Sequence, residues 1–261
     1  MDIIQFAEQH IALGLLVFTR ISGIFVSAPI FSSRNIPARM RVLMAMAIAL
    51  VVLPAVLQKQ SVAVPSTLAS YVVCVFLELF LGVCVGLLLA LFFAVIQVAG
   101  QMIDQKVGFG IVNVVDPQSG IQVPLLGNFL QMIFTLVFFA ADFHHLFLIA
   151  LIDSFSTLPL MQAVITPGLA VYMVDLFAGM FTFAFKLAMP LIMVTLLVDV
   201  SMGMLARTMP QLNVFVLGIP LKLAVGIFML SVFLPTYVYI LKVAYAEVPK
   251  NINQLLSAFT N

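Results

Sequence analysis

Charged side chains stand inside the long apolar runs of this 261-residue chain, among them Arg20, Glu78, Asp175, Lys186, Asp199 and Lys222. Left facing hydrocarbon, each would cost several kcal/mol or more, so each must face protein or water. Two kinds of chemistry fit such charges. They can mark a route for ions or protons. They can also bind other subunits, or lie where an assembly leaves the bilayer. Asp175 and Lys186 fall about three turns apart on nearly one helical face, too far apart to pair directly. The 10 acids and 11 bases are scattered and form no relay chain, which favours the second reading.

The other reactive side chains offer less. His144 and His145 are adjacent, so on a helix they point about 100° apart. No Cys, Glu or further His stands at ligand spacing from them, and no metal site is expected. Cys74 and Cys84 share one apolar run, where ten residues of helix put them on different faces; they read as buried free thiols. The sequence has no phosphate-binding P-loop, no HExxH and no G-x-S-x-G. It offers no catalytic residue, so neither enzymatic activity nor a cofactor is expected.

Composition sets what must position these groups. The chain is 64% hydrophobic and 8% charged, against roughly a quarter charged in a soluble domain. It reads as an all-α polytopic membrane protein. The net charge is +1 with no basic tract, which argues against nucleic acid. The N-terminus, MDIIQFAEQH, is acidic, so a cleaved signal peptide is not expected.

Apolar runs cover Ile11 to Phe31, Val42 to Leu57 and Leu68 to Ile103, then Val123 to Ala141, Leu169 to Val200 and Leu217 to Val243. The second is short for a span of about 20 residues. The third is far too long for one, and reads either as a tilted helix projecting from the membrane or as a broken pair. Leu146 to Ile152 is too short to span. The tail, AEVPKNINQLLSAFTN, is polar enough to leave the apolar phase. Pro29, Pro54, Pro190 and Pro235 should kink or break their helices. With six crossings and the N-terminus outside, Arg34, Arg39, Arg41, Lys106 and Arg207 are cytoplasmic, as the positive-inside rule expects. Gly82, Gly86, Ala90 and Ala94 recur every four residues, a ridge that lets a second backbone approach closely. That backbone belongs either to another subunit or to this chain.

Between the third and fourth runs lies Gln101 to Gln122, QMIDQKVGFGIVNVVDPQSGIQ. It mixes Asp104, Lys106, Asp116, Pro117 and three glycines with Val107, Phe109, Ile111, Val112, Val114 and Val115. It is too apolar for a plain connector and too broken for a spanning helix. It reads as non-helical backbone, tolerated at membrane depth only where protein buries it or where it lines an aqueous path.

Together with the central GFGIVNVVDPQSG, three further stretches carry a resemblance: SAPIFSSRNIPARMRV, ARTMPQLNVFVLGIPLK and, more weakly, HHLFLIALIDSFSTLP. In that order, through nearly the whole chain, they resemble the FliR family of export-gate subunits of bacterial flagellar type III secretion, which has injectisome relatives. The resemblance implies kinked helical hairpins, a FliP-like part over residues 1–200 and a FliQ-like hairpin and tail over 201–261. These would close a helical hetero-oligomeric ring with FliP-like and FliQ-like subunits in the bacterial inner (cell) membrane, at the flagellar basal body. FlhB-like and FlhA-like membrane proteins, lipid and unfolded export substrates are the further partners implied. The family places a loop across the pore as a plug. By motif this maps onto residues 106–122, with Lys106, Val107, Gly108, Phe109, Gly110, Ile111, Val112, Asn113, Val114, Asp116 and Pro117 as plug residues. Phe109, Ile111, Val112 and Val114 could then form a constriction that resists wetting. The rival function is a stand-alone ion or small-solute transporter. The buried charges and broken helices favour it; the lack of an inverted repeat counts against it.

Overall fold

A computed structural model describes residues 3–29, 31–32, 36–59, 64–65, 67–109, 124–209, 211 and 213–260. All regular structure among them is helical. In chain order the helices are α1 (Ile3–Ser27), α2 (Ala38–Lys59), α3 (Leu68–Val107), α4 (Leu125–Ala140), α5 (Phe143–Thr157), α6 (Pro167–Thr208), α7 (Val214–Ala246) and α8 (Val248–Ser257). Five spans are long and apolar enough to cross a membrane, and a sixth is added if α4 and α5 count as one broken span. The chain is a multi-pass membrane protein.

Several boundaries differ from those expected. α2 starts four residues before its apolar run, at Ala38. There Pro37 supplies the first carbonyl, and the Arg41 guanidinium donates back to the Ile36 carbonyl at 3.2 Å. The third run is a single helix of 40 residues. It continues through Gln101–Val107, part of the stretch expected to be non-helical. α1 does stop at Ser27, two residues before Pro29, but Pro54, Pro190 and Pro235 lie inside α2, α6 and α7 without ending them.

The chain divides into two compact units. The first holds Met1–Leu91, Phe143–Leu176 and Glu247–Asn261. Its core is built on α1, whose Leu16, Val17, Ile21, Ile24 and Phe25 are fully buried. α2 faces the core through Ala45, Ala49, Val52 and Val56, one helical stripe. α3 comes closer than ordinary side chains would permit. A Cβ at Gly82 would lie 2.1 Å from the Arg20 carbonyl oxygen, and one at Gly86 would lie 2.7 Å from that of Ile24. These two ridge glycines therefore receive α1 of the same chain, while Ala90 and Ala94 are half-buried. Overpacking a core typically costs ~1–3 kcal/mol, and here backbone blocks relief. Gly82→Val is accordingly expected to lower the melting temperature of the detergent-purified subunit well below the parent's. Ala90→Val should change it little. Equal melting of the two variants would contradict this packing.

The tail packs one face of a short helix into the first unit. α8 turns Val248, Ile252, Leu255 and Leu256 inward, and Phe259 behind it is fully buried. Its backbone is tied down as well. The Tyr172 hydroxyl donates to the Asn251 carbonyl at 2.9 Å, and the Thr166 hydroxyl donates to that of Ala258 at 2.6 Å. The segment averages as polar because its apolar residues occupy one face only.

The second unit holds Phe92–Asp142 and Phe177–Ala246. Its centre is an aromatic cluster joining α3, α4 and α7. Tyr245 stacks on Phe134 at 4.9 Å and meets Phe138 edge-on at 5.2 Å, while Phe93 meets Phe134 at 4.9 Å. Such pairs contribute ~0.5–1.5 kcal/mol each beyond the area they bury.

Candidate functional site

The charges inside the apolar runs part into two groups. Arg20 and Glu78 are fully buried in the first unit, both at 0% exposure. Arg20 Nε donates to Glu78 Oε2 at 2.5 Å, and Nη1 donates to the carbonyls of Leu158 (3.0 Å) and Ser154 (3.3 Å). Its guanidinium also lies 4.4 Å above the centre of the Phe155 ring. Glu78 Oε1 accepts the N–H of Met161 at 3.0 Å. Met161 has φ 65°, a left-handed conformation that this bond helps to hold. The pair thus fastens the exit of α5 to α1 and α3, and presents no atom to another subunit.

The remaining four are reachable from outside. Asp175 and Lys186 are exposed on α6. Asp199 and Lys222 form an ion pair between α6 and α7 in the second unit, with side chains 47% and 24% exposed. His144 and His145 open α5 with ring centroids 4.1 Å apart.

The two described ends of the central stretch meet in a built stem in the second unit. On the entry side, α3 ends at Gly108, whose φ of 104° only glycine adopts without strain. Lys106, exposed in the last turn, lies where the helix dipole favours a cation. Val107 is fully buried: a Cβ at Gly226 of α7 would come within 2.6 Å of it. Phe109 is half-buried. The other plug residues, Gly110, Ile111, Val112, Asn113, Val114, Asp116 and Pro117, lie outside the described residues.

On the return side, α4 starts after Pro124, which has no side chain to cap it. The cap comes from α3 instead. The Leu126 N–H donates to Asp104 Oδ1 at 3.0 Å, and the Gly127 N–H donates to Oδ2 at 3.1 Å. Asp104 is 5% exposed, so its carboxylate is satisfied by these two donors rather than by water. That explains how α3 carries an acid so far along an apolar helix. Gly100 and Gly127 let the two backbones meet, since a Cβ at Gly100 would lie 2.2 Å from the Gly127 Cα. Sequence reasoning noticed Asp104 without giving it a role. The signal that could have found it is a helix start, Pro-Leu-Leu-Gly, without the usual Ser, Thr, Asp or Asn cap.

This fold and stem define a multi-pass, all-helical membrane protein with a glycine-rich segment held at both ends. The sequence model of the family described as bacterial export proteins, family 1, matches residues 11–248. The chain is 36% identical over 246 residues to the flagellar biosynthetic protein FliR of Bacillus subtilis (strain 168), covering 93% of this chain and 94% of that protein. It is 30% identical over 216 residues to FliR of Escherichia coli (strain K12), covering 83% and 82%. With FliR of Aquifex aeolicus (strain VF5) it shares 29% identity over 229 residues, 88% of each chain. The chain belongs to this bacterial export protein family.

Proposed function

We propose that the chain is a non-catalytic core subunit of the flagellar type III protein export gate. It would form, with FliP-like and FliQ-like subunits in the inner membrane at the basal body, the pore through which unfolded flagellar proteins leave. Residues 106–122 would plug that pore at rest. The observation that carries this reading is the stem: the two ends of an apolar, glycine-rich stretch are both fixed, Val107 by burial and Leu126 by the Asp104 carboxylate.

Exposed charges support the need for partners. Asp175, Lys186, Asp199 and Lys222 would sit at contacts with sister subunits, where protein rather than lipid meets them. Residues 201–261 would act as the FliQ-like hairpin and tail, and 1–200 as the FliP-like part. FlhB-like and FlhA-like membrane proteins are the further neighbours this reading supplies.

Co-expression with FliP-like and FliQ-like subunits, followed by native mass measurement, tests the assignment. One hetero-oligomer containing all three chains is expected. A monomer or homo-oligomer that transports a small solute by itself would overturn it in favour of the transporter.

A further inference from the structure

We infer that Asp104 is a positioning residue for the central segment, holding the end of α3 against the start of α4, and that sealing of the resting pore depends on it. The inference deepens the plug reading and rests on it.

The geometry is that of an N-cap supplied from a different helix. The first N–H groups of any helix lack partners inside it and need an acceptor. α4 has none nearby, because Pro124 precedes it. Asp104 meets two of these donors with one oxygen each, at 3.0 and 3.1 Å. Its negative charge also faces the positive end of the α4 dipole. Four residues before it, the Gly100–Gly127 contact leaves no space for a side chain. Three residues after it, Val107 fills the hollow at Gly226. Asp104 is thus the polar member of an otherwise apolar stem, and its contact is the directional one among them. Take it away, and two buried N–H groups lose their acceptor while the approach of the two backbones loses its directional bond.

Spin labels test this in the assembled hetero-oligomer, in a background with Cys74 and Cys84 replaced. Gln105→Cys and Asn128→Cys, both exposed on the two sides of the stem, carry the labels. The parent is expected to give one narrow distance distribution. Asp104→Ala should broaden it and raise the ion leak of cells carrying the assembly. Losing a cap shifts such an equilibrium roughly 5- to 30-fold. Asp104→Asn keeps one acceptor oxygen and should fall between the two. If Asp104→Ala does not assemble, Asp104→Asn decides by the same criteria. A narrow distance in the assembled variant overturns the inference. So does a tight membrane in that variant, provided that deletion of residues 110–119 leaks. If that deletion is itself tight, the plug reading falls, and this inference falls with it.

Discussion

A chain lacking residues 110–119 is expected to assemble with its partners and to leave the membrane leaky to ions. The choice of ends follows from the stem. A deletion beginning at Val107 would also strip a fully buried side chain from its seat on Gly226 and confuse loss of the seal with loss of packing. Starting after Phe109 spares α3, its glycine terminus and the Asp104 cap. The removed residues include Ile111, Val112, Val114 and Val115, apolar side chains suited to exclude water from a narrow passage. The fastenings on either side, Val107 against Gly226 and Asp104 on the Leu126 and Gly127 N–H groups, stay in place. Assembly should therefore survive, and single-channel conductance in planar bilayers should rise from a closed baseline to sustained openings. Native mass read on the same preparation separates the outcomes. An intact assembly with a closed baseline would refute the plug role; a missing assembly would show that the segment builds contacts instead.

How far the sequence led depended on where each polar group finds its partner. Apolar runs gave every long helix, because a backbone at membrane depth must satisfy itself. The ends were harder. The stretch from Gln101 was expected to be non-helical because its charges and glycines break a spanning helix, yet α3 runs on through Asp104, which two N–H groups 22 and 23 residues further on bind. Nothing in composition reveals such a partner. In the tail, mean polarity concealed a one-sided pattern in which Val248, Ile252, Leu255 and Leu256 share a face. The charges split along the same line. Asp175 and Lys186 stay exposed, but Arg20 and Glu78, 58 residues apart, turned out to satisfy each other. The central stretch stood out by its glycines and charges. Its fastening did not, because a fastening is a relation between distant residues.

That split among the charges gives the second large effect. Glu78→Ala is expected to deplete the subunit even when no partner is present. Breaking a buried ion pair by removing one member costs about 3–5 kcal/mol, because the surviving charge stays buried. Here the loss extends further. Met161, half-buried, would keep a left-handed backbone without the acceptor for its N–H, which adds at most ~1–3 kcal/mol. Set against a total stability of roughly 5–15 kcal/mol, the sum removes much of what folds the first unit. Glu78→Gln should be milder, since its amide oxygen can still accept from Met161, but it leaves Arg20 uncompensated. Replacing both charges by apolar residues, often neutral elsewhere, should not rescue the fold, because the Ser154 and Leu158 carbonyls then lose the Arg20 donor. Exposed Asp175→Asn should behave in the opposite way, leaving the lone subunit's abundance unchanged and weakening only co-purification with partners. Quantifying the chain in membranes with and without partner subunits reads both effects. Parent-level amounts of the Glu78→Ala chain expressed alone would show that the pair does not hold the first unit together.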